Sequence, residues 1–119
     1  MGQVSDERAR LTAEMARTTF QRKVVSRETP SEVLDEAIRF FGERGYRAGR
    51  SGRPNQAYVI GGREGALPRV TAEILVQAGV GRAGTTLVTI SGFGEQLSEH
   101  LRAFAAHLRS QPTRANPDG

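Results

Sequence analysis

Apolar positions 33, 34, 37, 38 and 41 (Val33, Leu34, Ala37, Ile38, Phe41) fall on one side of a 3.6-residue repeat, which predicts a helix over residues 30–44. Thr29-Pro30-Ser31-Glu32 stands at its start. There Thr29 is placed to cap, Pro30 loses no needed N–H, and Glu32 reaches back to the cap amide. Arg44 and Gly45 close it with a cation in the last turn and a residue able to turn left-handed. A second stripe, Leu97, Leu101, Phe104, Ala105 and Leu108, predicts another helix opening at Glu95. Between the two the period changes to two. Val70, Ala72, Ile74, Val76 and Ala78 alternate with Thr71, Glu73, Leu75 and Gln77, the pattern of a half-buried strand over 69–78. Further strands are expected over 46–50, 55–60 and 85–91, and β-branched and aromatic residues predict one more over 18–25.

Short glycine-rich turns at 51–54, 61–68 and 79–84 make the last four strands an antiparallel meander. Two helices with one apolar stripe each must bury them, and the surface on offer is the 70/72/74/76/78 face. The expected fold is therefore α+β: a two-layer sandwich of order β-α-β-β-β-β-α, with both helices on one face of an antiparallel sheet. Residues 1–17 read as a polar leader or short helix, 18–109 as one domain, and 110–119 as a disordered tail.

The 119 residues suit a single domain, with about half of the positions apolar once glycine is included. With no cysteine, disulfides, thiolate nucleophiles and cysteine-bound metals are excluded. The opening residues lack the apolar stretch of a secretion signal, and no run approaches a membrane span, so a cytoplasmic protein is expected. A net charge of +4 rests on sixteen arginines and one lysine, Lys23. The excess is uneven: residues 28–45 are net acidic and residues 46–69 net basic. An arginine-to-lysine bias of this size fits a GC-rich coding source, so basic charge alone does not make this a nucleic-acid binder.

Candidate chemistry is sparse. Gly79-Val80-Gly81-Arg82-Ala83-Gly84 matches G-x-G-x-x-G, but strand residues follow it where a dinucleotide site needs a helix. It reads as a hairpin turn. His100 and His107 lie seven apart on the second helix, about 10.5 Å along its axis, too far for one metal ion. They are expected at the rim of the apolar stripe. Glu73 points away from the helices into a solvated or cross-strand paired position. No nucleophile–base pair is readable, and no enzyme activity, cofactor or metal is expected.

Two surfaces remain. Arg47, Arg50, Arg53 and Arg82 could gather at one end of the meander as an anion site. The sheet face away from the helices carries Tyr58, Ile60, Leu75 and Leu87, more aliphatic surface than water favours. The expectation is a binding module that self-associates as a homodimer, or meets a protein partner, through that face. The alternatives are a carrier of a small apolar ligand held between helix and sheet, and an anion or nucleic-acid binder at the arginine end. Nucleic acid is the weaker, since Tyr58 is the one stacking aromatic expected on the sheet. In element order alone, residues 18–109 resemble the TATA-binding-protein-like arrangement and a reduced form of the helix-grip fold of START-like ligand carriers. Small bacterial proteins of no assigned activity share that order. The resemblance implies a sheet gripping a helix and implies no site residue.

Overall fold

The computed structural model describes residues 2–79 and 84–110. Its order is α1 (Gly2–Thr18), β1 (Phe20–Ser26), α2 (Pro30–Glu43), β2 (Arg47–Arg50), β3 (Gln56–Gly61), β4 (Val70–Ala78), β5 (Thr86–Gly92) and α3 (Glu95–Ser110). The fold is α+β, as the periodicities predict, with one element more. The leader is a 17-residue helix, not a short one. Thr18 and Thr19, expected in the first strand, instead end this helix. Their hydroxyls donate to the Glu14 and Met15 carbonyls at 2.8 and 2.6 Å. The expected tail over 110–119 lies outside the described residues beyond Ser110.

The five strands form one antiparallel sheet in the order β1-β5-β4-β3-β2. β1 returns from the start of the domain to pair with the last strand, so the two edges are β1 and the four-residue β2. The register puts Val24, Val88 and Val76 in one row and Ile90, Ile74 and Ala57 in the next. All six are buried. Helix α2 covers β2, β3 and β4, while α3 covers β1 and β5.

Ala78 departs from its predicted place and is exposed. Pairing of β3 with β4 stops at Gln56 and Leu75, so the end of β4 runs past its neighbour beside β5 alone. Alternation continues there, but burial does not.

Helix α2 begins as its capping residues dictate. The Glu32 amide donates to Thr29 Oγ1 at 3.1 Å, and the Thr29 amide donates to Glu32 Oε1 at 2.9 Å. Between the helices, Phe40, Phe41 and Phe104 pack with ring centroids 5.1 to 5.4 Å apart. Phe41 and Phe104 are fully buried, and truncating either to alanine should cost about 3–5 kcal/mol. His100 and His107 sit at the edge of this cluster. His100 meets the Tyr46 ring at 5.5 Å; His107 lies on Phe40 and holds Glu36 Oε2 at 2.7 Å. Helix α3 is capped from a distance. The Glu64 carboxylate, in the β3–β4 loop, accepts from the amides of Gln96 and Leu97 at 2.9 and 3.1 Å. Gly94 makes the approach possible: its φ is 114°, and a Cβ there would lie 2.5 Å from Val70 Cγ1.

Candidate interaction surface

Because α2 and α3 cover one side, every second residue of each strand faces the other way, with no helix among the described residues packed over it. Register fixes the arrangement. Across the open face Val25, Leu87 and Gln77 form one row; Lys23, Thr89, Leu75 and Gln56 the next. Gln21, Ser91, Glu73, Tyr58 and Gly49 form a third, and Thr71, Ile60 and Arg47 a fourth.

The predicted residues Tyr58, Ile60, Leu75 and Leu87 thus share one face. All four are half-buried, shielded by their neighbours but still reaching water. With Val25 they make a diagonal apolar band from β3 to β1, about 25 Å long on ordinary strand spacings. Val25, which is not among the four predicted residues, is 55% exposed, the largest exposure among the bulky apolar side chains described. Its signal was present: Phe20 and Val24 alternate with Gln21, Lys23 and Val25, but no partner strand for β1 could be assigned.

Several contacts give the face a defined shape. The Tyr58 ring lies over Gly49 on the edge strand, where an added Cβ would be 2.9 Å from the phenol oxygen. Glu73 is paired across strands, as its position predicts. Gln56 Nε2 donates to its Oε1, and Gln56 in turn accepts from Ser51 Oγ at 3.0 Å. Beside it lies a depression of about 230 Å³ walled by Thr71, Glu73, Ser91 and Phe93.

The structure separates two of the four predicted arginines, Arg47 and Arg50. Arg50 leaves the sheet for α2, donating to Asp35 Oδ1 at 2.7 Å and Ser31 Oγ at 3.0 Å. Arg47 lies at the opposite end of β2 and on the other face, since it pairs with Ile60 whereas Arg50 pairs with Ala57. Arg53 is exposed in the turn, and Arg82 lies outside the described residues. Alternation along a four-residue strand separates Arg47 from Arg50, a consequence that the turn-based grouping overlooked.

A larger concavity, about 510 Å³, opens where α1, the 63–65 loop and α3 meet. Glu14, Glu64, Glu95 and Glu99 line it with Arg63. Three of these charges are engaged internally: Glu64 caps α3, and Arg17 binds Glu14 and Glu95 at 2.6 and 3.1 Å. The Arg17 hydrogen bond holds the Glu14 carboxyl below its ordinary pKa. Burial, and then the Glu64 carboxylate, push the Tyr46 phenol above its usual value. These are the electrostatics of a helix junction. Among the described residues no three His, Asp or Glu side chains are grouped to hold a metal ion, and no helix is long and apolar enough to cross a membrane. Compared with protein-family models and with curated proteins, the chain matches none.

Proposed function

We propose that this protein is a non-catalytic interaction module that self-associates through the open face of its sheet. The observation that carries the reading is the diagonal band ending at Val25, a β-branched apolar residue left more than half exposed beside Leu87. The band crosses an open face of about 400 Å² in all, polar positions included: five strands at about 4.8 Å by seven residues at about 3.4 Å.

The edges support a face-to-face contact over strand addition. β2 has only four residues and ends in Arg47 and Arg50; β1 carries Arg22 and Lys23 at its centre. Short, charged edges discourage further pairing. The covered side argues against the ligand-carrier alternative, because Val33, Leu34, Phe41, Ile74, Ile90, Leu101 and Phe104 fill the space between helices and sheet. The internal pairing of Arg50 weakens the anion-binding alternative in the same way. A reduced helix-grip layout and a cytoplasmic setting complete the proposal.

Light scattering on the eluting protein over rising concentration tests it. A mass moving from monomer toward dimer is expected, and Leu75→Arg should hold the protein monomeric while it stays folded. A monomer at every concentration refutes the reading.

A further inference from the structure

Resting on the reading that two copies meet through their open faces, we propose that a reciprocal ion pair sets their register. Lys23 of each copy binds the partner's Glu73, twice about one two-fold axis. The strands place three formal charges on this face: Lys23 on β1, Glu73 on β4, and Arg47 at the end of the short edge strand β2. Lys23 is the one lysine among seventeen basic residues, stands mid-strand in the β1–β5 register, and is exposed. It has no hydrogen-bond or ion-pair partner among the described residues.

Glu73 is prepared for a cation. Gln56 fixes one carboxylate oxygen, itself held by Ser51, while Oε2 takes no hydrogen bond from the described residues. Thr71 and Ser91 line the depression beside it. Within one copy the two charges do not meet. They are two strands and one residue pair apart, about 12 Å between Cα atoms.

A two-fold contact changes this, because residue i of one copy then meets residue j of the other and the reverse. Laid out on flat strand spacings, the axis that brings Lys23 over the partner's Glu73 has two further effects. In projection it carries the Val25 position to within about 3 Å of lying opposite the partner's Tyr58, and the two Leu75 positions to within about 4 Å of lying opposite each other, across facing sheets about 10 Å apart. Val25 is then covered by the Tyr58 ring, and the lysine stem lies along apolar surface with its ammonium on the carboxylate. A lysine serving only to guard an edge strand needs charge of either sign; the reciprocal pair needs this sign.

Sedimentation equilibrium on the full chain separates the two roles. Lys23→Glu or Glu73→Lys alone should weaken the dimer at least about tenfold, since each change removes two pairs and opposes like charges. The double variant K23E/E73K should return to within about threefold of the original. Zero-length carbodiimide cross-linking of the unaltered protein should yield a covalent dimer whose junction peptide joins Lys23 to Glu73. A dimer of unchanged affinity in Lys23→Glu, no recovery in the double variant, or recovery of Glu73→Lys by Arg47→Glu instead overturns the pairing and leaves the open-face reading standing. An unaltered protein that is monomeric throughout overturns both.

Discussion

Replacing Glu64 by alanine tests how the fold holds α3 in place. That carboxylate satisfies two amides at the start of the helix, those of Gln96 and Leu97, from a loop more than thirty residues earlier. Losing a helix cap typically costs about 0.5–2 kcal/mol. Losing a negative charge at the helix N-terminus adds about 0.3–1 kcal/mol. Together they predict a loss of about 1–3 kcal/mol. In a domain of this size each kcal/mol moves the melting temperature by about 4–8 °C, so far-ultraviolet dichroism should show Glu64→Ala melting about 4–24 °C lower. Glu64→Gln keeps one acceptor oxygen without the charge and should fall between. A melting temperature for Glu64→Ala indistinguishable from the original would refute the claim that this loop caps α3.

Other perturbations have equally specific outcomes. Gly92→Ala should destabilise by about 1–3 kcal/mol in urea unfolding, because its Cβ would stand 2.5 Å from Ala72 Cβ and 2.7 Å from the Thr71 carbonyl oxygen. Gly49→Ala meets only the tip of Tyr58, so it should cost less than about 1 kcal/mol yet shift the ring, read as a change in tyrosine emission and in dimer affinity. Burial alone would raise the Glu36 carboxyl, but hydrogen bonds from His107 and Arg39 outweigh it and leave its pKa below the ordinary value. Its contribution is therefore full above the ordinary carboxylate range and is lost as pH falls through the lowered value. Glu36→Gln should be less stable at neutral pH, by about 1 kcal/mol, and should lose less of its stability on acidification.

Much of the fold was legible because its signals are local. The capping residues from Thr29 to Glu32, the α2 and α3 stripes and the alternation of β4 each fit within a few turns or one strand. What escaped depends on distant partners. The return of β1 to pair with β5 joins residues sixty or more positions apart, and only that pairing puts Val25 beside Leu87 and Lys23 beside Thr89. The Glu64 cap is non-local in the same way, and no residue near Glu64 in the sequence marks it. α1 was underestimated because its apolar face is weak. Residues 6–10 of that helix are exposed, and it joins the body through Leu11, Glu14, Arg17 and Thr18.

For the candidate surface, alternation alone placed Tyr58, Ile60, Leu75 and Leu87 on one face, since period two is all that the inference needs. Grouping arginines by the end of the sheet at which each turn lies puts Arg47 with Arg50, which the structure separates. That reasoning ignores both the side to which a strand residue points and the ion pairs it makes with a helix. Arg50 is the clear instance, drawn to Asp35 across the layer.

Isotope-filtered nuclear Overhauser spectra on an equal mixture of labelled and unlabelled protein test the central claim most directly. Contacts between copies should join the methyls of Val25, Leu75 and Leu87 to one another and to the Tyr58 ring, with none to α1. Intermolecular signals confined to Met15 and its helix, or no such signals at concentrations where the protein is dimeric by mass, would contradict the account.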